Sequence, residues 1–215
     1  MEAFDAVVEI DNYIRNLLAD DRFDPHMTTW KHLGHLLEVC DEVLKEGGRS
    51  SLEEVDEHSP EPVKVPDDGL VISCDASSKT NPGGPCSVGV VVELRGIKIH
   101  SFARTTPALT VNQAEYDAVY ESLSYLGTLL NHYLRELSSI RIYSDSQLIV
   151  NQLNGIYKVS DESLKRRHES VSDCRARYSH SAEKPIEIIW APRCSTPGLK
   201  LANALAQKEI GVPVH

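Results

Sequence analysis

No run of about 18 apolar residues occurs in this 215-residue sequence, so no segment is read as crossing a membrane. The opening Met1-Glu2-Ala3-Phe4-Asp5 has neither a basic stretch nor an apolar core, which sets aside a secretory signal. Cysteine is sparse. The five residues (Cys40, Cys74, Cys86, Cys174 and Cys194) form no Cys-x-x-Cys pair, and an odd, dispersed set fits a disulfide framework or a zinc site poorly. Reduced thiols of a cytoplasmic protein are expected instead. No internal repeat is visible. At 41% hydrophobic and 25% charged residues, what remains is an ordinary globular composition.

Positive charge is also short overall, at a net −10. The deficit is local. Residues 1–69 hold 6 Lys/Arg against 18 Asp/Glu, whereas residues 70–215 hold 16 against 14. The front segment reads as an acidic αα-hairpin over 1–49: Phe4, Val7, Val8, Ile14, Leu17 and Leu18 keep helical spacing, as do Trp30, Leu33, Leu36, Leu37, Cys40, Val43 and Leu44. Residues 50–69, rich in Ser, Glu, Asp and Pro, read as a linker. A hairpin so acidic is a poor nucleic-acid binder, and its two apolar stripes point to a protein partner or to the rest of the chain. His32 and His35 stand three apart on its second helix, a spacing compatible with metal binding but better explained by a solvent-facing or packed pair.

Residues 70–215 alternate in type. Strands are expected at Leu70–Cys74, Ser87–Leu94, Ile97–Ala103, Ile140–Ser144 and Ile186–Trp190, with Arg95-Gly96 as a hairpin turn. Helices are expected at Asn112–Leu137, Gln147–Leu153, Glu162–Tyr178 and Lys200–Glu209. Three strands followed by alternation predict an α/β domain with a mixed sheet flanked by helices.

Three acids fall where packing explains them poorly. Asp75 ends the first expected strand, Asp145 ends the fourth, and Glu115 lies in the first turn of the long helix. Singly, each is an ordinary turn former, cap or first-turn acid. Together, at the strand ends where open α/β sheets place ligands, they form a set of hard oxygen donors suited to Mg²⁺. The run Lys158, Lys165, Arg166, Arg167, Arg175 and Arg177 is a candidate phosphate track, although interleaved Asp161, Glu162, Glu169 and Asp173 also fit a solvated helix face.

The motifs around these acids resemble those of the ribonuclease H family. Asp75-Ala76-Ser77 followed by Asn81-Pro82-Gly83 resembles the family's opening Asp-Gly-Ser and Asn-Pro-Gly. Thr110-Val111-Asn112-Gln113-Ala114-Glu115 resembles the segment that brings its catalytic Glu, and Ser144-Asp145-Ser146-Gln147 its Asp-Ser-Gln element. Asn151–Val159, Trp190-Ala191-Pro192-Arg193 and Ala202-Asn203-Ala204-Leu205-Ala206 follow in order, as in the stand-alone bacterial, archaeal and plant-like branch. The resemblance covers roughly residues 70–210. It implies a mixed five-stranded sheet and a metal-dependent endonuclease that cuts the RNA strand of RNA–DNA hybrids. Two Mg²⁺, with Mn²⁺ as a substitute, would flank the scissile phosphate ~3.5–4 Å apart. It further implies that Asp75, Glu115, Asp145 and Asn203 are the catalytic, metal-holding set. Ser77, Asn81, Gly83, Asn112, Gln113, Ser146 and Lys158 are implied as substrate contacts.

The sequence departs from the family pattern at four points. Asn203 stands where the family has its fourth acid, so one negative charge is lost. No His lies between Trp190 and Asn203, where the family often has one; Cys194 is nearest. Ala76 replaces a Gly and Val111 an Asn. A second reading therefore keeps the fold and makes the chain a weakened or inactive nucleic-acid-binding or protein-interaction module. A third, an exonuclease or integrase of the same superfamily, fits the Asp-Ser-Gln and Asn-Pro-Gly elements less well.

Overall fold

The computed structural model describes residues 69–129, 134–135 and 137–213. The expected acidic hairpin, with His32 and His35, and the linker up to residue 68 lie outside the described residues. Five strands, β1 (Leu70–Ser78), β2 (Cys86–Leu94), β3 (Ile97–Thr106), β4 (Ile140–Ser144) and β5 (Ile186–Trp190), form one sheet in the order β3-β2-β1-β4-β5. β1, β2 and β3 are antiparallel neighbours, and β4 runs parallel to β1 and to β5. The expected mixed sheet is therefore present. Among the described residues the helices with defined ends are α1 (Val111–Leu126), α2 (Gln147–Leu153), α3 (Glu162–Ala182) and α4 (Pro197–Glu209). Among the described residues, no helix is long and apolar enough to cross a membrane.

Strand alternation divides the core in two. Leu70, Ile72, Cys74 and Ala76 enter a large cluster with Ala114, Tyr116, Leu123, Ile149, Leu164 and Val171 from α1, α2 and α3. Val71 points the other way and packs with Tyr143, Ala191 and Leu199 of α4. Helices thus cover both faces. The β2–β3 turn falls at Arg95-Gly96, where both residues have positive φ (50° and 77°), the backbone that a tight two-residue hairpin requires.

Several expected boundaries move, each for a physical reason. β1 continues past Cys74 to Ser78 because β2 pairs with it along its whole length, whereas β4 leaves it after Cys74↔Ser144. β3 likewise extends to Thr106, opposite Cys86. The long helix ends at Leu126 rather than Leu137: the amide of Gly127 turns back onto the carbonyls of Ser124 and Tyr125. α4 begins at Pro197, three residues earlier than expected, because the Thr196 hydroxyl accepts a hydrogen bond from the Leu199 amide.

A candidate carboxylate metal site

The site forms where β1 and β4 part. Beyond the Cys74–Ser144 rung, β1 continues against β2 while the chain leaves β4 at Asp145. Asp75 is thus inside β1 rather than at its end, yet it is the first residue of β1 with no β4 neighbour. Glu115 is one turn into α1, not in its first turn, and is buried. Ligand atoms of Asp75, Glu115 and Asp145 all lie within 4.8 Å of one another. The three acids that the sequence singles out are brought together.

Their environment disfavours three negative charges. Burial, followed by repulsion from Asp145, raises the Asp75 carboxyl from its ordinary value to about 7. Burial, then the charges of Asp75 and Asp145, pushes Glu115 well above the usual carboxylate range. Asp145 is also raised by burial, with Arg193 opposing the shift. The Asp75 carboxylate accepts a 2.7 Å hydrogen bond from the Ala76 amide, but Glu115 Oε2 is buried with no hydrogen-bond partner. A buried acceptor of this kind beside two further carboxylates is the donor chemistry of a hard divalent cation. The residues present fit such an ion.

α4, which carries Asn203, packs against the sheet beside the site through an absence on β2. Gly89 stands directly opposite Asp75 in the register. A Cβ there would lie 2.0 Å from the Ala202 carbonyl oxygen, so only glycine lets α4 come down onto the sheet beside Asp75. Asn203 Oδ1 does not stand free. It accepts hydrogen bonds from Arg193 Nη2 at 2.9 Å and from Gln207 Nε2 at 3.0 Å. Arg193 also lies 3.9 Å from Asp75 Oδ2 and 3.7 Å from Asp145 Oδ2. Sequence reasoning gave Arg193 and Gln207 no role. The signal for Arg193 was its place just past β5, at the same sheet end as the acids.

The expected substrate contacts divide. Asn81, Asn112 and Gln113 line one cavity of about 300 Å³ with Pro82, Thr110, Asp161, Ser163 and Leu164. Within it the Gln113 amide is engaged at both ends: Oε1 accepts from the Leu109 amide and Nε2 donates to the Ser163 hydroxyl. Asn81 Oδ1 accepts from the Val111 amide, and the exposed Gly83 donates its amide to the Leu109 carbonyl. Ser77 follows Asp75 by two residues on β1 and is partly exposed, and Ser146 is the N-cap residue of α2. Lys158 is exposed beyond α2 and does not line this cavity. The basic run is not one track. Arg167 pairs with Asp117 at 2.8 Å, Lys165 with Glu162, and Arg175 donates to the carbonyls of Ile186 and Leu153. Lys158, Arg166 and Arg177 are exposed.

A mixed sheet in this order, helices on both faces and a carboxylate triad where its parallel strands part together define a ribonuclease H-like α/β domain. The sequence profile of RNase H matches residues 67–209, and the chain belongs to that family. It is 31% identical over 137 residues to Ribonuclease HI of Halobacterium salinarum, a stretch covering 63% of this chain and 61% of that relative. The crystal structure of RNase H1 from the same halophilic archaeon superposes with a TM-score of 0.54 at 26% identity, covering 66% of this chain and 97% of that one. LC11-RNase H1 in complex with an RNA/DNA hybrid gives 0.51 at 26% identity, over 65% of this chain and 97% of that one.

Proposed function

We propose that this protein is a metal-dependent endonuclease that hydrolyses the RNA strand of RNA–DNA hybrids. The observation that carries the reading is the triad of Asp75, Glu115 and Asp145, mutually within 4.8 Å and including a buried carboxylate oxygen without a partner. Family membership and the hybrid bound to LC11-RNase H1 support the substrate class. In this reading Asp75, Glu115 and Asp145 hold Mg²⁺, or Mn²⁺ in its place, and Asn203 borders the same site. When bound, two such ions supply a water nucleophile at neutral pH and offset the charge that develops on the leaving oxygen. Water adds to phosphorus, the P–O3′ bond breaks, and the products carry a 5′-phosphate and a 3′-hydroxyl.

The chain's own residues position and select. Ser77, Gly83, Asn81 and Asn112 offer small polar groups of the kind that read 2′-hydroxyls across a shallow groove. Gln113 acts through cavity shape, because its amide is already spent. Ser146 orients Asp145 or the phosphate, and Lys158 meets the backbone electrostatically. The acidic hairpin of residues 1–49 docks on a protein partner or on the domain itself. If a chain lacking residues 1–65 matches the full chain in hybrid affinity, activity, stability and partner binding, that role is removed.

The deciding experiment is cleavage of a labelled RNA–DNA hybrid by the full chain with Mg²⁺ and with Mn²⁺, beside Asp145→Asn. Metal-dependent cutting lost in the variant is the expected result. No cutting with either ion supports the second reading, a ribonuclease H fold kept for binding, which the engagement of Asn203 Oδ1 by Arg193 and Gln207 favours.

A further inference from the structure

Arg193 is the one side chain that touches both Asp75 and Asp145 with positive charge among the described residues, and it does so from an exposed loop. Its side chain is 60% exposed, while those of Asp75 and Asp145 are 3% and 13% exposed. The contacts to the two carboxylates, at 3.9 and 3.7 Å, are ion pairs without short hydrogen bonds. Its one close polar contact here is with Asn203, at 2.9 Å, and Gln207 holds that same oxygen from the next helical turn. Arg193 is therefore anchored by a neutral amide and attracted by two acids it does not grip.

We infer that Arg193 is a releasable counter-ion, occupying the Asp75–Asp145 side of the carboxylate site until a divalent cation displaces it, and that Asn203 keeps it releasable. The inference rests on the metal-dependent reading above. A carboxylate at position 203 would bind the guanidinium as a forked ion pair, adding an opposite charge and a second acceptor oxygen that a neutral amide lacks. Asn203 holds the same group in the same place more weakly. The missing fourth acid and the arginine are then a matched pair. Without metal, Arg193 offsets the repulsion between Asp75 and Asp145. With metal, its charge opposes entry, and its exposed position gives it somewhere to go. Arg193 is a positioning residue in this role, acting through the carboxylates.

The test is a calorimetric Mn²⁺ titration of the full chain at pH 8 without nucleic acid. Arg193→Gln is expected to bind Mn²⁺ about tenfold more tightly than the native chain, because a competing charge some 4 Å from the ligands is gone. A merely structural lesion moves affinity the other way. Arg193→Lys, which keeps the charge, stays near the native affinity. Asn203→Asp gains less affinity in the native background than in Arg193→Gln, since the new acid is partly neutralised by Arg193; the two changes are non-additive. Metal-free Arg193→Gln also melts lower than the native chain, and Mn²⁺ reverses the order. Unchanged or weaker Mn²⁺ binding by Arg193→Gln, or strict additivity with Asn203→Asp, overturns the inference. If Arg193→Gln does not fold, a loss of affinity in Arg193→Lys overturns it. Failure of all five proteins, the double variant included, to bind Mn²⁺ removes instead the metal-dependent reading beneath it.

Discussion

Glu115 and Asp117 lie two residues apart on α1 and meet opposite fates. Asp117 is fully engaged: one oxygen accepts from the Thr106 hydroxyl and the other from Arg167 Nε at 2.8 Å. It ties the end of β3 to α1 and α3. Glu115 faces inward toward two further acids, and its Oε2 has no partner. A half-buried carboxylate answered by a cation and a hydroxyl, as Asp117 is, is architecture. One that is unanswered and stands beside like charges marks a place for something the chain does not itself supply.

The largest effect separates the two directly. Glu115→Gln or Asp145→Asn is expected to lower metal-dependent hybrid cleavage by at least ~100-fold, since loss of a ligand exceeds what loss of a supporting residue typically does. The metal-free melting temperature should hold or rise, because like charge is removed. A fall in activity that tracks a fall in melting temperature would place Glu115 with Asp117 as architecture.

Asp117→Asn should do the reverse. It leaves Arg167 without its ion pair and weakens the Thr106 contact, at a cost of about 1–3 kcal/mol. Thermal unfolding checks the loss, and Mn²⁺ affinity should be unchanged. A large drop in metal affinity with intact stability would join the two acids into one site.

The smallest effect is on pH. In the folded, metal-free protein Asp75 titrates at about 7, against an ordinary value of 3.8. Between those values the folded state holds a proton that the unfolded state has released, so stability falls as pH rises through that window. Metal-free melting temperature should therefore decline from pH 5 to pH 8, by on the order of 5 °C. Added Mg²⁺ or Mn²⁺ should restore it at pH 8 and do little at pH 5, where a proton competes with the ion. Melting curves of native chain and Asp75→Asn check this. A decline that persists in the variant assigns the effect to other groups.

Much of this was legible in the residues. Short strand-like segments at Leu70–Cys74 and Ile140–Ser144 announced β1 and β4, and the Arg95-Gly96 turn placed β2 beside β3. Asp75, Glu115 and Asp145 stood out because packing did not account for them. Boundaries were harder to read, because strand length depends on a partner: nothing local in Asp75-Ala76-Ser77-Ser78 says that β2 pairs with it. The helix expected through Leu137 likewise stops at Leu126, where the Gly127 amide closes the last turn. Gln113 read as a free polar contact, since Ser163 is 50 residues away and Leu109 lies before the helix begins.

By itself, the sequence determined the strand and helix types, the order of elements and the identity of the three acids, because hydrophobic period and residue chemistry are local properties. The tertiary structure alone decided that the acids share one space, that β1 outlasts β4, and that Gly89 admits α4 beside Asp75. It also decided that Arg193 and Asn203 meet. Those outcomes depend on which surfaces come within a few ångströms across the sheet, a distance that no spacing along the chain encodes.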